Sequence, residues 1–173
     1  AGPTHFLKGD DAREVIRKHY APLEAKVIIG ERNMSPASFT IATSWQTAYA
    51  VRNFQSTFQK CYFVQDYEPF FYARGSEYLF AEQTYRFGFY GITAGNWLAE
   101  VLNANFGMET TPIGFGVDLS HYYPSRTRRK KNVKRVFFYA RPPTSRRGYE
   151  LGLLVLAEVF TLYPDVEFVL AGW

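Results

Sequence analysis

The residues able to do chemistry gather in a few short stretches, each at the end of an apolar run. Arg141, Arg146 and Arg147 lie between the run Val136 to Tyr139 and a segment with helical spacing, with Gly148 closing the group. Guanidinium groups at a strand-to-helix turn suit a phosphate, because backbone amides and the helix dipole add to their charge. A solvated surface cluster is the competing reading. Gln65, Asp66, Tyr67, Glu68 and Pro69 end a second run, Tyr62 to Val64. Asp66 and Glu68 are spaced to act as a paired acid and base. Equally, Asp66 can cap the following turn while Tyr67 packs. Thr43, Ser44 and Trp45 end a third run, and residues 94–96 a fourth. His5, His19 and His121 lack metal-ligand spacing, so surface or packing roles are read for them and no zinc site is expected.

The elements that must hold these loops follow from periodicity. His5 to Leu7 suggests a short strand, and Asp11 with Glu14 has the spacing of a capping box for a helix reaching about Tyr20. Val27–Ile29, Phe39–Ala42, Tyr62–Val64, Phe89–Thr93 and Thr111–Val117 read as strands. Gln46–Phe54, Glu77–Phe87 and Asn96–Phe106 read as the helices between them. Asp118 closes the last of these strands, with a side chain able to bond the next turn's amides. Tyr122, Tyr123 and Pro124 anchor the exit. After a stretch carrying Arg126, Arg128, Arg129, Lys130, Lys131, Lys134 and Arg135, the pattern restarts with Val136–Tyr139 as a strand buried on both faces. A helix from Leu151 to Leu162, stopped by Tyr163 and Pro164, and a buried strand at Val166–Leu170 complete a βαβ unit. Its basic loop stands where open α/β sheets bind ligands.

Composition sets the class. With 173 residues, 47% hydrophobic, the chain can bury one substantial core and begin another. Aromatic residues reach 18%, so many must lie in the core, while those near loops can stack on sugar rings. The single cysteine, Cys61, excludes an internal disulfide and reads as a small core residue. No apolar run reaches membrane-spanning length. The lone cysteine points to a reducing cytoplasm, with peripheral contact at the anionic inner face of the cell membrane as an accompanying option.

Gly116, Val117 and Asp118 followed by Tyr123 and Pro124 resemble the interdomain segment of GT-B retaining glycosyltransferases of family four. Phe138 to Gly148 resembles their donor-phosphate loop, and residues 63–71 and 75–98 resemble bacterial rhamnosyltransferases that build cell-surface rhamnose polymers. The resemblance implies a GT-B type α/β fold: a Rossmann-like parallel sheet with helices on both faces, followed by the first βαβ unit of a second Rossmann-like domain. It implies residues 1–124 as an acceptor-side domain lacking its start, 125–132 as a basic linker, and 133–173 as a truncated donor domain.

It further implies a nucleotide-sugar donor, dTDP-rhamnose, as substrate, with no cofactor, and a glycan or lipid-linked glycan as acceptor. Arg141 and Arg147 would hold the diphosphate, with Arg146 a competing choice because the loop is one residue longer than usual and carries arginine where lysine is common. Thr43, Ser44, Trp45, Gln65, Asp66, Tyr67 and Glu68 would line the acceptor side; Gln65 stands where relatives often have histidine, and it can bond a hydroxyl but cannot exchange a proton. A piece covering only the middle of such an enzyme is expected to be inactive alone. The alternative class is a non-catalytic basic α/β module contacting nucleic acid or anionic membrane through residues 126–135; that run offers charge but no base-reading group, so nucleic acid is not the expected partner.

Overall fold

The computed structural model describes residues 8–124 and 133–172; the expected strand at His5–Leu7 and the linker 125–132 fall outside them. Helix α1 (Gly9–His19) comes first, then alternation: β1 (Ala37–Ala42), α2 (Trp45–Asn53), β2 (Thr57–Val64), α3 (Ser76–Thr84), β3 (Tyr90–Ala94), α4 (Asn96–Phe106) and β4 (Thr110–Ile113). A second group follows, with β5 (Arg135–Tyr139), α5 (Tyr149–Leu162) and β6 (Glu167–Ala171). Strands β1 to β4 form one parallel sheet in chain order, and β5 pairs in parallel with β6. This is a Rossmann-like α/β arrangement.

Sequential parallel strands joined by right-handed crossovers place every connecting helix on one side. Burial follows that rule. Ala42, Tyr62, Val64 and Met108 form one core with Ala48 and Val51 of α2, Tyr85, and Leu98 and Leu102 of α4. On the other face of β1, Phe39 and Ile41 are 63% and 48% exposed. The expectation of helices on both faces is therefore corrected: among the described residues α2, α3 and α4 cover one. Local signals fix their ends. Ser44 caps α2, accepting from the Thr47 amide at 3.4 Å, and Gly107, left-handed at φ 64°, ends α4 with its amide on Asn103 O at 2.9 Å.

Several expected boundaries move. The cap of α1 is Lys8, whose amide donates to Asp11 Oδ2 at 3.2 Å, so Asp11 is the third helical residue rather than the cap. Val27–Ile29 joins no ladder. It runs beneath the start of α1, so close that a Cβ on Gly9 would overlap Val27 O, and Ile29 O accepts from Asn33 Nδ2 instead of a strand. Strand β4 ends at Ile113, not Val117: its partner β3 ends opposite at Ala94, and the Gly95 amide takes the Ile113 carbonyl at 3.0 Å. Strands β5 and β6 are not buried on both faces, with Phe137 62% and Leu170 53% exposed, because among the described residues only each other and α5 flank them. Cys61 is buried, which raises its thiol pKa.

Candidate functional site

In a parallel sheet all carboxyl ends share one rim, and the loops after β1, β2 and β3 meet there. Glu68 binds two of them together. It is 7% exposed, opens the short 3₁₀ turn Glu68–Phe71, and accepts the Tyr62 hydroxyl on Oε1 at 2.6 Å and the Trp45 amide on Oε2 at 2.8 Å. Its own amide donates to the Tyr85 hydroxyl at 3.0 Å. The carboxylate therefore occupies the amino end of α2, where the helix dipole favours negative charge. Burial nonetheless raises the Glu68 pKa, more than the Tyr62 and Trp45 hydrogen bonds lower it. Burial likewise pushes the Tyr62 and Tyr85 hydroxyls far above the ordinary tyrosine range.

The same rim is framed by aromatic rings. Trp45 Nε1 donates to Tyr72 Oη at 2.9 Å, and its ring stacks on Phe80 with centroids 6.5 Å apart. Thr43 and Ser44 both donate their amides to Thr47 Oγ1 at 3.0 Å, and Gln65 Nε2 reaches Thr43 O at 3.4 Å. Tyr67 is buried against Phe70, Tyr85 and Phe106. Tyr67 thus packs, and Asp66 Oδ1 accepts its amide at 2.8 Å.

Asp66 does more than cap. Arg146, eighty positions away, donates through Nη1 to Oδ1 at 3.2 Å and through Nη2 to Oδ2 at 2.5 Å. These hydrogen bonds hold the Asp66 carboxyl below the usual range, with Arg147 contributing at longer reach. The Arg146 guanidinium also lies 4.3 Å from the centre of the Phe71 ring. The loop after β5 is thereby brought to the rim of the four-stranded sheet.

That loop folds through a 3₁₀ turn, Ser145–Arg147, into Gly148, the left-handed cap of α5. Arg147 reaches over the Tyr139 ring at 5.5 Å. Among the described residues neither Arg141 nor Arg147 has an ion-pair partner, whereas Arg135, at the opposite end of β5, is paired with Glu167. Asp66 and Glu68 are separated in role: one meets the Arg146 guanidinium at a half-exposed edge, the other has both oxygens engaged inside.

Sequence reasoning did not single out Tyr62, Phe71, Tyr72 or Tyr85. A tyrosine inside a buried strand is a signal for Tyr62, since a buried hydroxyl requires a partner; Phe71 and Tyr72 carry no comparable mark. Asp118 accepts from the Ser120 amide at 2.9 Å, as a turn residue should. Its contacts with Ser120 and His121 are all local, and both partners meet His121 through the same Nδ1, which is not the geometry of a nucleophilic triad. A cavity of about 420 Å³ lined by Tyr85, Phe89, Tyr90, Phe106 and Met108 lies at the amino ends of β3 and β4. Among the described residues no cluster of three or more His, Cys, Asp or Glu could hold a metal ion, and no helix is long and apolar enough to cross a membrane.

Residues 24–96 match the family described as WsaF, N-terminal domain. Over 133 residues, 76% of its length, the chain is 44% identical to a Myxococcus xanthus protein named O-antigen biosynthesis protein RfbC. It spans 10% of that relative.

Proposed function

We propose that these residues form part of a glycosyltransferase of cell-surface polysaccharide synthesis, with the loop after β5 binding the diphosphate of a nucleotide-sugar donor. The observation that carries the reading is the Asp66–Arg146 contact, which sets a three-arginine loop against the rim where β1 and β2 end. The match to the WsaF N-terminal domain and the likeness to an O-antigen biosynthesis protein support the same class. The finer reading is a GT-B, retaining enzyme of family four that uses dTDP-rhamnose at the cytoplasmic side of the membrane. Residues up to 124 belong to its acceptor half and those from 133 to its donor half.

In that reaction the bond from the anomeric carbon to the diphosphate oxygen breaks, a bond to an acceptor hydroxyl oxygen forms on the same face, and the hydroxyl proton passes to the departing diphosphate. Negative charge grows on the departing diphosphate. Arg141, Arg147 and Arg146 stabilise it electrostatically, together with the amides entering α5. Thr43, Ser44, Trp45 and Gln65 frame the acceptor side, where Gln65 offers a hydrogen bond to a sugar hydroxyl. Glu68, with both oxygens occupied, positions these loops and transfers no proton.

Isothermal titration with dTDP-rhamnose, with inorganic phosphate as control, tests the reading. Saturable binding that prefers the nucleotide sugar, and that Arg147→Ala weakens by about 1.5 to 3 kcal/mol, is expected, the scale for a hydrogen bond to a charged group. Equal response to any anion, fading with salt, would favour a polybasic contact instead.

A further inference from the structure

Arg146 already holds an anion. Asp66 meets it with both carboxylate oxygens, in the fork geometry that a phosphate would also use. The two residues come from different loops, one after β2 and one after β5. Resting on the donor-diphosphate reading above, we propose that Asp66 is the resident occupant of an exchangeable site: Arg146 leaves its carboxylate for the phosphate oxygens of a diphosphate ligand while remaining seated on Phe71.

Three features make exchange feasible. First, the pair is neither deep nor isolated: the Asp66 side chain is 37% exposed and that of Arg146 24%, so water can take over the released carboxylate. Exposed pairs of this kind are weak. Glu68, two residues on, shows the opposite design, since its partners could not be removed without leaving buried groups unsatisfied. Second, each partner keeps a contact when the other departs. Asp66 Oδ1 still accepts the Tyr67 amide, and the Phe71 ring supports the guanidinium without using any of its N–H donors. Third, charge favours the newcomer. Arg146 and Arg147 both lower the pKa of the one carboxylate they face, and Arg141 stands in the same loop. An anion of higher charge that reaches all three is a stronger ligand than Asp66 alone. In this scheme Asp66 pins the β5 loop to the rim until the ligand arrives, and lowers apparent affinity by the fraction of chain held in that state.

Pyrophosphate is the probe. Its affinity for the 173-residue chain is measured by titration for wild type, Asp66→Asn, Arg146→Ala and the double variant. Removing the internal competitor should tighten pyrophosphate binding roughly two- to fivefold, the factor matching an exposed ion pair. The gain should vanish when Arg146 is also replaced. In wild type labelled at arginine, pyrophosphate should move the Arg146 Nε–H resonance toward its position in pyrophosphate-bound Asp66→Asn. Weaker or unchanged binding in Asp66→Asn, with wild type still binding, would overturn the exchange and leave the arginine clamp standing. No binding to any variant would overturn both.

Discussion

The Tyr62 hydroxyl donates to Glu68 Oε1 at 2.6 Å inside a site from which Glu68 is almost wholly excluded from water, and Trp45 donates its amide to the other oxygen. One carboxylate thus fastens the end of β2 to the start of α2. Glu68→Ala leaves a buried hydroxyl and a helix-end amide without partners, so it should destabilise the chain by about 2 to 4 kcal/mol. Glu68→Gln, which keeps an acceptor, should lose less. Denaturant midpoints of the two variants give the comparison.

The pH dependence of that site has a definite sign. Burial raises the folded-state pKa of Glu68, so the folded chain binds this proton more readily than the unfolded chain. Its contribution is complete below the ordinary carboxylate value and is lost as pH rises through the raised one. The stability advantage of wild type over Glu68→Gln should therefore shrink with rising pH. Asp66 runs the other way. Arg146 depresses its pKa, so its contribution is present above the ordinary value and lost as pH falls through the depressed one. Urea midpoints of wild type, Glu68→Gln and Asp66→Asn across the acid-to-neutral range resolve the two slopes.

Much of this arrangement was legible in the residues, and its limits are physical. Asn96–Phe106 is a helix to the residue because its apolar spacing, and the left-handed Gly107 after it, agree with the tertiary packing. Val27–Ile29 is as apolar as a strand but finds no ladder, and composition cannot report a missing partner. Glu68 looks like a solvent-facing carboxylate in a polar loop. Only the hydroxyl of Tyr62, six positions earlier, and the amide of Trp45, twenty-three earlier, make it an interior group. The arginines were visible as a cluster; that one of them is held by Asp66 was not, since an eighty-residue separation leaves no local trace.

Gly9→Ala should free the start of α1. A methyl group there meets the Val27 carbonyl, which is backbone and cannot rotate aside. Alanine gains about 1 kcal/mol in helix propensity, whereas such an overlap costs about 1 to 3 kcal/mol. Amide exchange should therefore quicken in α1 while β2 and β3 stay protected. Unchanged protection in α1 would contradict the packing.

Specific anion binding is separable from general basic charge. Arg141→Ala and Arg147→Ala should each weaken diphosphate binding about tenfold or more, the equivalent of one charge-assisted hydrogen bond. Arg135→Ala removes the same charge from the opposite end of β5, where Glu167 already pairs it, and should leave binding unchanged. A uniform loss in all three would point to bulk electrostatics.

The chain-order pairing of β1, β2, β3 and β4 also bears on how the protein is made. Because each strand adds beside its immediate predecessor, none has to be inserted between two that are already joined. During synthesis from the amino terminus, every newly emerged strand meets an edge that is waiting for it. The Glu68 fastening is assembled from residues 45–85, so it can be complete before Arg146 leaves the ribosome. The rim is then a finished surface onto which the arginine loop docks last, and errors in that docking need not undo the sheet beneath it.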